Sequence, residues 1–296
     1  MKRDKRKSAE RKGTLGAPAW IYRPDGVLWL FRFSRHGRII CEIRDPVRRT
    51  AWFSCLDERD GKPLWDGLAF DEPWWIGIEE AHEPHVYFHG YRRPDLPGHL
   101  GVMAVEIESG RKVWERGDVT YLFAFDDAVY VVRRGFETTR YFALDPCNGS
   151  LLHDLGEDGI ALQSLRLVHD ERDVCRACEY PSPLDIEPSA ADAEVGIVSR
   201  FLDLSSMQGT PEVLTRGSFI IASWHAPSAG CVHPGTLDQH IAFLDRQTGE
   251  ILFQDVIHRG ISVPLADSFL VKGDMLLYVK DDHQLTAHHL AGLQSA

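Results

Sequence analysis

Phe53-Ser-Cys-Leu-Asp-Glu-Arg-Asp-Gly-Lys-Pro-Leu-Trp65 decides the fold, because its pattern returns three times further along the chain. The other copies are Val102-Met-Ala-Val-Glu-Ile-Glu-Ser-Gly-Arg-Lys-Val-Trp114, Tyr141-Phe-Ala-Leu-Asp-Pro-Cys-Asn-Gly-Ser-Leu-Leu-His153 and Ile241-Ala-Phe-Leu-Asp-Arg-Gln-Thr-Gly-Glu-Ile-Leu-Phe253. In each, an acidic residue (Asp57, Glu106, Asp145, Asp245) stands four positions before a glycine. A large ring (Trp65, Trp114, His153, Phe253) stands four positions after it.

The four residues before each acidic position are apolar on both parities, apart from Ser54. Successive side chains of a strand face opposite ways, so such a run is buried on both sides. The next five residues turn the chain. Small polar side chains there bond nearby backbone N–H groups, and glycine supplies positive φ at no steric cost. Leu64, Val113, Leu152 and Leu252 then resume an apolar strand, each followed by the ring. Each copy is therefore a hairpin whose second strand carries an aromatic wedge.

The acidic positions fall at 57, 106, 145 and 245, and the last gap has room for one degenerate unit between 155 and 215. Four-stranded units at periods of roughly 40–50 residues indicate an all-β β-propeller, whose sheets stack face to face. Six blades are expected, seven if the N-terminal segment contributes. Blade one takes strands near 27–33, 38–44, 51–57 and 62–66; blade two 73–79, 85–90, 101–107 and 111–115. Blade three takes 119–126, 128–133, 140–145 and 150–154, and blade four 161–168, 173–179 and 196–203. Blade five takes 211–216, 218–224, 239–245 and 250–254; blade six takes 261–268, 274–280 and 284–290. Residues 19–23 are expected to add an outer strand to the last blade, and closure removes exposed edges. Residues 19–296 then form a single domain.

The Asp-x-x-Thr/Ser-Gly-x-x-x-Trp hairpin resembles the repeat of quinoprotein-type propellers, the pyrroloquinoline quinone dehydrogenase-like repeats. The resemblance covers four hairpins, about a third of the chain. It implies a propeller with the rings Trp65, Trp114, His153 and Phe253 packed between blades. The vicinal cysteine pair and secretory leader of those enzymes have no counterpart here, so no cofactor is expected. As a whole the chain resembles an uncharacterised bacterial propeller family, which implies no activity.

The first twelve residues hold seven Lys or Arg against two acids, and residues 1–18 read as a disordered basic arm. With a net charge of −11 overall, the rest of the chain carries −16, which argues against a nucleic-acid groove on the propeller body. No hydrophobic run approaches a membrane span or a signal core, and a cytoplasmic address is expected. The scattered cysteines agree with it, with Cys41, Cys55 and Cys147 as small core residues. Cys175 and Cys178, three apart on a strand, face opposite ways and read as reduced thiols rather than zinc ligands. His82, His85 and His89 read as exposed histidines around a turn.

Two hairpins concentrate chemistry. The first, from Gly90 to His99, holds Arg92, Arg93, Asp95 and His99; the second, from Trp224 to His240, holds Trp224, His225 and His233. Both read as long loops on one face, which they share with Trp74 and Trp75 of an inter-blade segment. Arg92 and Arg93 suit an anionic ligand, Trp74, Trp75 and Trp224 a flat one, and His225, His99 and Asp95 acid–base or metal chemistry. No phosphate loop or nucleophile elbow is present, so neither a catalytic set nor a metal set is assigned. The leading expectation is a non-enzymatic propeller binding a protein or small ligand on this face. The alternative is a hydrolase or lyase whose histidines and acids converge at the mouth of the central channel, with a metal ion assisting.

Overall fold

The computed structural model describes residues 17–93, 96–172, 177–184, 196, 198, 206–228 and 235–290. After a short first strand β1 (Trp20–Tyr22), the chain forms three four-stranded antiparallel meanders. Sheet I is β2 (Val27–Phe33), β3 (Arg38–Asp45), β4 (Thr50–Asp57) and β5 (Pro63–Leu68). Sheet II is β6 (Ile76–His82), β7 (His85–Arg93), β8 (Leu96–Glu106) and β9 (Lys112–Arg116). Sheet III is β10 (Thr120–Phe125), β11 (Ala128–Arg134), β12 (Thr139–Leu144) and β13 (Leu151–Gly156).

A helix, α1 (Ile160–Arg172), and two short strands follow, β14 (Cys178–Glu179) and β15 (Ser182–Pro183). Sheet IV joins β15 to β16 (Gln208–Arg216), β17 (Phe219–Pro227), β18 (Leu237–Asp245) and β19 (Ile251–Ile261). Sheet V has the order β1, β22 (Gln284–His289), β21 (Met275–Lys280), β20 (Leu270–Lys272), β14. Each sheet is a propeller-type blade, and the fold class is all-β. β1 is the outer strand expected for the last blade, with the Ala19 N–H bonded to the Ala287 carbonyl at 2.8 Å.

The four quoted hairpins close in the same way. The acidic residue's carbonyl accepts the N–H of the glycine, at 2.6–2.9 Å, in Gly61, Gly110, Gly149 and Gly249 alike. All four glycines have φ between 67° and 70°, where a Cβ is strained. The strands before them, Phe53–Leu56, Val102–Val105 and Ile241–Leu244, are buried on both faces.

Contacts group the chain into two units, residues 22–177 and residues 1–21 with 178–296. In the first, Phe53, Ile40 and Cys55 of sheet I pack on Ile76, Phe88 and Val105 of sheet II. Tyr87, Val102 and Trp114 of sheet II pack on Tyr121, Val129 and Phe142 of sheet III. In the second, Phe219, Ile221 and Phe243 of sheet IV pack on Val271, Leu276 and Tyr278 of sheet V. The rings expected in the seams divide. Trp65 Nε1 donates to the Ile107 carbonyl and Trp114 Nε1 to the Pro146 carbonyl, each at 2.7 Å, one residue past the acidic position of the next hairpin. Phe253 packs on Phe243 and His288 in its own unit. His153 does not fill a seam; it is exposed.

Five sheets are present among the described residues where six blades were expected. The strand expected at 161–168 is instead part of α1. Ala, Leu, Gln and Arg favour helix there, Asp158 Oδ1 accepts the Ile160 N–H at 2.9 Å, and Leu162, Leu165 and His169 share the inward face. Of the other two blade-four strands, residues 173–176 and most of 196–203 lie outside the described residues. Cys178 and Glu179 belong to sheet V. Cys147 is exposed rather than core, whereas Cys41 and Cys55 are buried, and burial pushes the Cys55 thiol up to about 12.

Candidate functional site at the β7–β8 hairpin

The described residues of the long loop expected between Gly90 and His99 are strand. The ladder continues through Tyr91–His99 and Arg93–Leu96, because pairing satisfies backbone groups that a loop would leave to water. In the second loop, Trp224–Pro227 and Leu237–His240 are strand likewise. Trp224 and His225 are therefore strand residues, 7% and 4% exposed, and not loop residues. Asp95 and His233 lie outside the described residues, and Arg92 and Arg93 are placed only as the end of β7. Of the remaining candidates, Trp74, Trp75 and His99 are half-buried.

Sheet II owes its polar centre to one irregularity. Ile78 pairs with Phe88 and Glu80 with Tyr87, leaving Glu79 as a bulge residue with no partner across the strand. Bulges re-aim side chains, and here the effect is to send consecutive carboxylates to different neighbours. Glu79 Oε1 lies 2.8 Å from His99 Nδ1 and 3.2 Å from His89 Nδ1. The two imidazoles are stacked, 3.5 Å between centroids and 7° between planes. Gly77, opposite His89 in the ladder, makes the room: a Cβ there would meet His89 Cε1 at 2.9 Å. Burial works to raise the Glu79 carboxyl, but His89 and His99 outweigh it and hold the group below the usual carboxylate value.

His89 is 4% exposed and neither of its ring nitrogens is hydrogen-bonded. The sequence reading of His85 and His89 as exposed turn histidines is thus corrected, since both are buried strand residues. Glu79 and Gly77 were missed altogether. One signal was available, for Gly77: a lone glycine inside an apolar strand marks close approach.

From this centre a run of rings leads outward. Tyr91 is edge-on to His99 at 5.4 Å, Trp75 is edge-on to Tyr91 at 5.6 Å, and the exposed Arg49 guanidinium lies 5.7 Å over Trp75. The linker carrying Trp74 and Trp75 is fixed from beneath. Buried Arg44 donates to Glu42 at 2.7 Å and to the Trp74 and Ile76 carbonyls at 2.9 and 2.6 Å. Glu42 also accepts the Ile78 N–H at 3.2 Å. A pocket of about 250 Å³ adjoins, lined by Phe70, Glu72, Ile76, Gly90, Leu100 and Lys112 among others.

Glu80 serves a different purpose. It accepts from Tyr121 Oη at 2.5 Å and from the Ala124 N–H, and its other oxygen lies 2.8 Å from His169 Nε2, pinning α1. Its hydrogen bond raises the His169 pKa above the usual imidazole value.

Fold and site together define an all-β propeller-type protein with a histidine–carboxylate centre on one blade. Residues 34–114, from β3 of sheet I into β9 of sheet II, match a family described as a domain of unknown function (DUF4905). No curated protein matches the chain. Among solved structures it is similar to an acylaminoacyl peptidase of Pyrococcus horikoshii, at 9% identity over 86% of this chain and 36% of that one, TM-score 0.31. It is similar also to prolyl oligopeptidase B of Galerina marginata, at 11% identity over 91% and 33%, TM-score 0.30. An exo-β-1,3-galactanase of Phanerochaete chrysosporium matches at 8% identity over 91% and 64%, TM-score 0.29. The chain spans between a third and two thirds of the length of these proteins. Among the described residues no helix is long and apolar enough to cross a membrane.

Proposed function

We propose that the chain is a binding protein that takes a small, flat-faced ligand on the Trp75–Tyr91–His99 surface of sheet II. The observation that carries this reading is the unbroken run of ring contacts from Arg49 to the stacked His89 and His99. Half-exposed rings offer a ligand apolar area at low entropic cost, and the imidazoles and Glu79 supply its polar anchor. The two indole seams support a quinoprotein-type repeat as the architecture beneath. A hydrolase or lyase is the second reading, favoured by the convergence of Glu79, His89 and His99.

A thermal-shift screen of the full chain against monosaccharides, nucleosides and aromatic carboxylates tests the first reading. A ligand at a hundredfold excess over Kd stabilises by about 2.7 kcal/mol, a rise in Tm of roughly 5–10 °C. The shift should vanish in Trp75→Ala and Tyr91→Ala. A hit indifferent to both substitutions, or no hit in any class, overturns the reading.

A further inference from the structure

We propose that Glu79, His89 and His99 bind one divalent transition-metal ion of the zinc class. The proposal deepens the ligand reading, since the ion becomes the ligand's polar anchor, and the tests below separate the two.

Donor chemistry is the first argument. Two imidazoles and one carboxylate suit zinc, cobalt(II), nickel(II) or iron(II); calcium and magnesium take all-oxygen shells, and thiolates are absent. Distance is the second. Donors about 2.0–2.1 Å from a common ion stand roughly 2.9–3.4 Å apart in tetrahedral or octahedral arrangements. The observed separations from Glu79 Oε1 are 2.8 and 3.2 Å, and all three donor atoms lie within 4.8 Å of one another. The donors stand at coordination spacing, and because the two rings lie in parallel planes the half-exposed His99 ring must turn for both nitrogen lone pairs to meet one ion.

The third argument is His89. Its imidazole is 4% exposed, with no partner on Nε2 and only the misaligned Glu79 contact on Nδ1, a cost in free energy that a metal bond offsets. Its Nδ1 faces the carboxylate without hydrogen-bond alignment, so the Glu79–His99 pair alone does not account for it. Finally, the His99 side chain is 36% exposed, which gives an ion a route in. Three protein donors leave a coordination position for an outside ligand, as in open zinc sites.

The untagged full-length chain, stripped with chelator, should take up one equivalent of zinc. Cobalt(II) should give the visible d–d absorption of a low-coordinate site. Glu79→Gln and His99→Ala should each weaken binding more than about 100-fold, beyond the 10–100-fold typical of losing an outer-shell partner. Circular dichroism and the urea midpoint should stay near wild type, because Glu79 sits in a bulge and His99 is half-exposed. His36→Ala, an exposed imidazole elsewhere, should bind as wild type does. Absence of stoichiometric uptake, or uptake indifferent to both site substitutions, overturns the proposal. A flat-ligand hit that persists without metal uptake leaves the binding surface standing and removes only the ion.

Discussion

Sheets II and IV carry hairpins of like composition, rich in histidine, aspartate and aromatic residues, yet they use them in opposite ways. Counted from the tight turn, the fifth cross-strand pair is Gly77–His89 in sheet II and Glu212–Ser223 in sheet IV. In sheet II the bulge inserts Glu79 between the third and fourth pairs, and the missing side chain of Gly77 admits an imidazole. In sheet IV those five pairs run without a bulge, and the Glu212 carboxylate is taken up by the Asp267 N–H, the Ser268 N–H and the Ser268 hydroxyl. His225 Nε2 accepts the Leu265 N–H, and His240 stacks on Trp224 at 5.2 Å. Histidine content therefore does not make a centre. An uncommitted carboxylate aimed at two rings does.

The supports beneath the two hairpins differ in cost of removal. Both linkers hang on a buried carboxylate, but Glu42 is neutralised by buried Arg44 while Glu212 is held by neutral donors alone. Arg44→Ala strips the 2%-exposed Glu42 carboxyl of its ion-pair partner and should destabilise by about 3–5 kcal/mol in urea unfolding. Glu212→Gln keeps an acceptor in place and should cost about 1–2 kcal/mol. Equal losses would erase the distinction between a charge-paired and a neutral anchor.

Gly77→Ala sharpens the comparison at the site itself. The added Cβ meets His89 Cε1 at 2.9 Å and Nε2 at 3.1 Å, so the ring or the strand must shift. Overpacking of this size costs about 1–3 kcal/mol. Cobalt(II) affinity should fall along with the urea midpoint. A variant that keeps both would show that the ring has room to move, and that Gly77 is not what holds His89 against Glu79.

The elements that were legible in the sequence are those specified locally. The acidic–Gly–ring spacing predicts four hairpins because one turn geometry demands a glycine at φ near 70°, and all four are present. Trp65 and Trp114 fill equivalent seams, but His153 does not, since an exposed imidazole lacks the indole's area and its sheet is followed by a helix. That helix was misread because 161–168 is too short and too apolar for periodicity alone to decide. The site was half-legible: His99, Trp74 and Trp75 stood out by type and hairpin position. Glu79 acquires its role only through a register shift, which depends on the partner strand and not on its own neighbours.

Acid should separate the two regions with opposite signs. In sheets IV and V, burial lowers the pKa of His225, His240 and His258, and pushes His288 down to about 4. Near pH 6.5 the unfolded chain begins to take up protons that these folded imidazoles refuse, so stability falls as pH drops below that value. For His288 alone the loss is about 1 kcal/mol at pH 5.5. At α1 the sign reverses. His169 is raised by Glu80, so its contribution is full below about 6.5 and is lost as pH rises through its elevated folded value. Glu80 is lowered, because His169 and Tyr121 outweigh burial, and its contribution is lost only as pH falls below the ordinary carboxylate range. Buried His85 acts against α1's neighbours in the same direction as sheets IV and V. Between pH 7.5 and 5.5, amide exchange corrected for intrinsic rates should therefore slow in residues 160–172 and quicken in residues 219–227 and 275–289. If both segments moved in the same direction, the carboxylates around His169 would not be setting its charge, and the contrast between a committed and a buried imidazole would fail there.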